Sequence, residues 1–146
     1  MESYINYSLN LAGPRWENAP KKLAQQAMAK VKLTEMVNLF NESKIVLNPY
    51  GASKQFICPN PRTFEIPASK SFQLTDMPRD VNNFFKPKKE IVVYEDEKEM
   101  KELIDYYLEN EEERTKILLA GYNRVIKEHK MIYRIKKLLQ IVKKLQ

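Results

Sequence analysis

An arginine and a glutamate three residues apart, Arg62 and Glu65, open the run RTFEIPASKSFQLTD that ends at Asp76. Residues at that spacing share one face of a helix. Pro59 and Pro61 bracket Asn60 just ahead, a turn-and-cap arrangement that starts a helix with Pro61 near its first position. Phe64, Ile66 and Pro67 give this short helix an apolar side, and Ser71 to Thr75 then reads as a strand. A helix N-terminus beside the carboxyl end of a strand is where open α/β sheets hold phosphorylated ligands, because unpaired N–H groups and positive potential collect there. A nucleotide is therefore the first ligand to consider. The same two side chains can equally form a helix-start ion pair that holds nothing, and the residues alone leave both readings open.

The elements that must position this run alternate between strand and helix. Tyr7 to Ala12 is expected as a strand ending at Gly13-Pro14, and Pro20 to Lys30 as a polar, helix-favouring piece. Thr34 is expected to cap a helix through Phe40, with Leu33, Val37 and Phe40 on its inner side. Lys44 to Asn48 reads as a strand around Ile45-Val46-Leu47, and Pro49 to Pro61 as a loop carrying Tyr50, Gly51 and Lys54. Asp80 begins a helical turn that Pro87 ends, and Glu90 to Tyr94 is a further strand with Ile91, Val92 and Val93 in succession. Continuous apolar triplets suit strands covered on both faces, so the fold class is α/β with a Rossmann-like parallel sheet and flanking helices.

From residue 96 the pattern is helical. Asp96 with Glu99, and Asn110 with Glu113, are each spaced as a capping box. A last helix from Lys130 puts Met131, Ile135, Leu138, Val142 and Leu145 on one stripe with lysines opposite. The three glycines, at 13, 51 and 121, form no glycine-rich phosphate turn, and three or four strands are few for so many helices. The 146 residues are thus expected to form one partial nucleotide-binding domain, the back half of a larger enzyme.

Composition excludes several chemistries. One cysteine, Cys58, allows no internal disulfide, and one histidine, His129, argues against a histidine metal site or a catalytic triad. Hydrophobic residues at 43% and charged residues at 30% are those of a folded globular chain. Neither a membrane-spanning run nor a signal peptide is evident, so a cytoplasmic location is the default expectation. The net charge of +6 is unevenly spread: Glu95 to Glu113 is strongly acidic, and Arg124 to Lys144 is strongly basic with Glu128 its lone acid. Such runs are solvated helix faces or a means of steering anionic partners. Nucleic acid is not an expected partner, since the basic residues lack interleaved aromatics.

Several pieces taken together carry a resemblance. They are Ser43-Lys44-Ile45-Val46-Leu47-Asn48, Arg62-Thr63-Phe64-Glu65, Phe72-Gln73-Leu74-Thr75-Asp76, Lys89-Glu90-Ile91-Val92-Val93-Tyr94, the Tyr107-Leu108 to Arg114 junction, and Glu128-His129 before Arg134. In that order and spacing, residues 35 to 139 resemble the C-terminal, donor-binding segment of GT-B glycosyltransferases of the CgeB-like, spore-maturation branch. The resemblance implies a nucleotide-sugar donor, a cleft closed by an N-terminal acceptor domain, and no metal or other cofactor. It implies that Glu65 accepts hydrogen bonds from the two ribose hydroxyls, chemistry that suits a carboxylate. It further implies that Arg62, with free N–H groups of the helix start, meets the diphosphate. Thr63 joins these donor-binding residues, and Asn48, Tyr50 and Thr75 line the cleft.

Lys70 departs from the family pattern, standing where many relatives have a glycine that would permit close backbone approach. Lacking the acceptor domain, the chain is expected to bind nucleotide weakly, to catalyse nothing alone, and to self-associate through uncovered apolar surface. The alternative is a non-enzymatic interaction module whose basic amphipathic C-terminal helix binds an anionic partner or a membrane surface.

Overall fold

The computed structural model describes residues 7–12, 19–25, 27–28, 31–50, 59–76 and 81–145. The Gly13-Pro14 stop, Trp16, Gly51, Lys54, Cys58 and the turn start at Asp80 lie outside the described residues. The chain divides into two compact units, Met1–Ser43 and Lys44–Gln146.

In the first unit, β1 (Leu11–Ala12) pairs in parallel with β2 (Ala27–Met28), and α1 (Lys21–Ala24) lies between them. The polar piece from residue 20 is therefore helical for four residues only, and its end becomes a strand because β1 offers a pairing edge that local propensity cannot register. The following helix, α2 (Leu33–Glu42), begins one residue before Thr34. Its first turn is closed by the Glu35 carboxylate, which accepts the Lys32 N–H at 2.8 Å. Phe40 is buried, but Leu33, expected inside, is 68% exposed because it sits at the first helical position, ahead of the packed face.

The second unit is built on a parallel sheet of order β3-β4-β5, with β3 Val46–Asn48, β4 Gln73–Thr75 and β5 Val92–Val93. Val46, Leu47 and Asn48 pair with Gln73, Leu74 and Thr75, and the last two pair on with Val92 and Val93. The expectation of a parallel α/β sheet is met, and each apolar triplet named in the sequence supplies a strand. The central strand is wholly buried, as its run Ser71 to Asp76 is. β3 and β4 are joined by α3 (Arg62–Ala68), which turns Thr63, Ile66 and Pro67 inward.

The end of α3 explains position 70. The Ser71 N–H reaches the Ile66 carbonyl at 3.3 Å and the Lys70 N–H reaches Pro67 at 3.0 Å, the paired bonds of a Schellman stop. That stop needs a left-handed residue, and Lys70 takes φ 54°. A glycine suits the position for its backbone conformation, not for close approach. Lys70 offsets part of the strain by placing Nζ over the Tyr122 ring, 4.9 Å from its centroid.

Behind the sheet stand α4 (Glu97–Glu109) and α5 (Glu111–Arg124). Asp96 caps α4 as expected, accepting the Glu99 N–H at 2.8 Å, and Glu99 returns a bond to the Glu95 N–H at 2.7 Å. The second capping box does not form. Asn110 donates backward to the Tyr106 carbonyl at 2.8 Å, and Glu113 takes the Tyr106 hydroxyl at 2.7 Å. The helix–helix junction leaves those two side chains better partners behind them than ahead. Tyr107 is core and packs on Phe72 at 4.8 Å between centroids, whereas Tyr106 is rim. Burial, with Glu113 nearby, pushes the Tyr107 phenol up to about 12.

Gly121 lets α5 lie close against the turn before β5 and against α3: a Cβ there would overlap the Glu90 carbonyl oxygen and touch Pro67. After α5 the backbone makes one wide π-turn, Val125–His129, and leaves in α6 (Met131–Lys144). No residue of α6 is buried. The core around this corner is Val81, Phe85, Ile91 and Val125, with Phe64, Phe84 and Val93 packed against it. No helix among the described residues is long and apolar enough to cross a membrane.

Candidate functional site

The six residues expected to meet a donor separate into two groups on either side of α3. Thr63 turns toward the sheet, and two residues on, Glu65 points the other way, since each helical residue advances the side chain by about 100°. Arg62 shares the Glu65 side and is exposed.

Toward the sheet, Asn48, Tyr50, Thr63, Thr75 and Asp76, all buried, come together in one polar knot with the partly exposed Asn60. Asn60 Oδ1 accepts the Thr63 N–H and the Thr63 hydroxyl, both at 3.1 Å. Asn60 Nδ2 donates to Asn48 Oδ1 at 3.1 Å, and Asn48 Nδ2 makes longer contacts of 3.4 Å to Asn60 Oδ1 and Thr63 Oγ1. The Tyr50 hydroxyl accepts the Asn60 N–H at 2.8 Å and bonds the Thr63 hydroxyl. Since the Thr63 proton already goes to Asn60, Tyr50 is the donor in that pair. Thr75 donates to the Asn48 carbonyl at 2.7 Å, and the Asp76 carboxylate takes the Tyr50 N–H. Asp76 is thus a strand-end cap for a neighbouring loop, as its position in the sequence indicates.

This knot fixes α3 on the sheet, and its centre is almost inaccessible, with Thr63 and Thr75 0% exposed and Asn48 2%, while Asn60 is partly exposed at its edge. The helix-start donors are also used. The N–H groups of Thr63, Phe64 and Glu65 bond Asn60 and Pro61, so the expectation of free amides there is not met at these three residues. The cause is local, because the Asn60-Pro61 turn supplies its own acceptors. One polar group beside the knot is left over. Gln73, 2% exposed, finds no hydrogen-bond partner for either amide atom among the described residues. Such an orphan costs about 1–3 kcal/mol.

On the outer side, Glu65 is half-buried, and its carboxylate forms no hydrogen bond or ion pair among the described residues; its bonds are those of its backbone, the N–H to Pro61 and the carbonyl to the N–H and hydroxyl of Ser69. Beside it, Phe64 enters an aromatic cluster with Phe84, Phe85 and His129 at centroid distances of 5.7, 5.8 and 5.2 Å. The Arg134 guanidinium stacks on Phe64 at 4.4 Å. The Phe84 carbonyl receives Arg124 Nε at 3.0 Å and His129 Nε2 at 2.9 Å. A carbonyl only accepts, so Nε2 carries the imidazole proton. His129 is therefore a structural pin, and Arg124 is neutralised by Glu128 at 2.7 Å. Around this cluster lies an open hollow of about 350 Å³ edged by Pro59, His129, Tyr133, Arg134 and Lys137.

Sequence reading named Arg134 but gave it no task. Its contact with Phe64 joins two distant segments, and no spacing rule could have found it.

The comparisons agree with this architecture. A family pattern described as "Glycosyl transferase-like" matches residues 2–140. The spore protein CgeB of Bacillus subtilis (strain 168) is 30% identical over 142 residues, covering 84% of this chain and 42% of CgeB. The chain thus spans less than half the length of that relative. No solved structure matches it. With the pattern running through both strand–helix joints of the polar knot and on to α6, the chain belongs to the glycosyl transferase-like family.

Proposed function

We propose that this chain is the donor-binding portion of a glycosyltransferase, holding a nucleotide-diphosphate sugar while the rest of the cleft presents the acceptor. The observation that carries the reading is Glu65: a partly exposed residue whose carboxylate has no partner among the described residues, on the helix that the polar knot holds in place. A carboxylate that no neighbouring group holds keeps its acceptor lone pairs available, and a ribose diol supplies two donors to them. Arg62, on the same side of α3, faces the diphosphate. Asn48, Tyr50, Thr63 and Thr75 then act by positioning α3, through the bonds already described, while the cleft-side contacts fall to Glu65 and Arg62. The departing diphosphate is stabilised by protein cations without a bound metal. Family membership and the similarity to CgeB support the same class of activity. The chain alone, with one side of a cleft, binds the donor weakly and does not transfer sugar.

Isothermal titration with nucleoside diphosphates tests the binding. Heat is expected at millimolar ligand, and Glu65→Ala should weaken the affinity by roughly ten- to a hundredfold, the worth of hydrogen bonds to a charged group. No heat from the wild-type chain, or identical titrations for the variant, would overturn the reading.

A further inference from the structure

The whole net charge of the protein lies on its last seventeen residues. Lys130, Arg134, Lys136, Lys137, Lys143 and Lys144 are six cations with no acid among them, equal to the chain's +6, so residues 1 to 129 sum to zero. Those cations sit on the helix with the most exposed apolar surface. At about 100° per residue, Leu138, Met131, Val142, Ile135, Leu139 and Ile132 fall within one sector of roughly 120°. They are 43% to 67% exposed.

The helix is attached by its other side. Arg134 stacks on Phe64, and Tyr133, Arg134 and Lys137 edge the hollow beside His129. Those three positions are centred opposite the apolar sector, so the stripe faces away from the unit that holds the helix. Lys136 and Lys143 border the stripe on one edge.

We infer that α6 is a docking helix for an anionic lipid surface, lying in the plane of the headgroups with its apolar sector inserted and its flanking cations on the phosphates. A second copy is a poorer occupant. Pairing α6 with α6 sets six cations against six. The acidic surface at the α4–α5 junction offers charge, but it is edged by Glu109, Glu111, Glu112, Glu113 and Lys116 and has no apolar stripe to meet this one. Lys116 also already pairs with Glu112 at 2.9 Å. The donor-binding proposal and this one rest on different side chains, Arg62 and Glu65 of α3 in the one and the stripe and lysines of α6 in the other.

Vesicle co-sedimentation of the chain tests it. Binding is expected to equimolar phosphatidylcholine–phosphatidylglycerol vesicles at low salt, with little to phosphatidylcholine alone and less as salt rises. Lys136→Gln and Lys143→Gln should each weaken the partition about fivefold. Leu138→Ala should weaken it on the order of tenfold. Circular dichroism controls for retained helix. No binding to the anionic vesicles overturns the proposal, as does binding that ignores the lysine and leucine substitutions. Concentration-dependent dimers by ultracentrifugation, abolished by the same substitutions while vesicles stay unbound, assign the helix to a protein partner instead.

Discussion

The polar knot under α3 and the helix α6 use their side chains in opposite ways. In the knot, Asn48, Tyr50, Thr63 and Thr75 are hydrogen-bonding residues drawn inside and bonded to one another and to Asn60. In α6, leucines and isoleucines of ordinary core type are left outside. Polarity alone did not decide either outcome. A buried hydroxyl or amide is tolerable once its partners are supplied, and an apolar stripe goes inside only when another surface packs on it. One region therefore contributes to stability, and the other leaves an apolar stripe exposed among the described residues.

That contrast can be broken by substitution. Tyr50→Phe removes the acceptor of the Asn60 N–H and the donor to Thr63, and should destabilise the fold by about 1–3 kcal/mol in urea denaturation. A loss near zero would mean that the knot is not what holds α3. Gln73→Met acts on the same strand in the reverse sense. It replaces an orphaned amide with a side chain of similar length and should stabilise by about 1 kcal/mol, whereas a loss of that size would reveal a hydrogen bond the amide makes in solution. The smallest effect belongs to α6. Leu138→Ala should shift the unfolding free energy by no more than about 0.5 kcal/mol, because the side chain is 60% exposed. A large shift would place the stripe against protein after all.

Much of the fold was legible because its signals are local or periodic. The triplets Ile45-Val46-Leu47 and Ile91-Val92-Val93 each contribute a strand of the β3-β4-β5 sheet, and Asp96 caps α4 through a bond three residues away. The failures lie where a side chain had a choice. Asn110 and Glu113 have the spacing of a capping box, yet both turn to Tyr106 on the preceding helix. The end of the piece from residue 20 became β2 because β1 was there to pair with it. Of the candidate site, the sequence named the residues but could not sort them: Thr63 and Glu65 are two apart and face opposite sides of α3.

By itself the sequence determined the apolar periods, the first cap of α4, the acidic and basic blocks and the family to which the chain belongs, since each is written in neighbouring residues or in their order. Only the tertiary structure decided that Asn48, Thr63 and Thr75 are inside, that Glu65 keeps an unpartnered carboxylate among the described residues, and that α6 turns its apolar stripe away from Phe64. Burial depends on what another segment brings to within a few ångströms, and that information is held by contacts between distant residues.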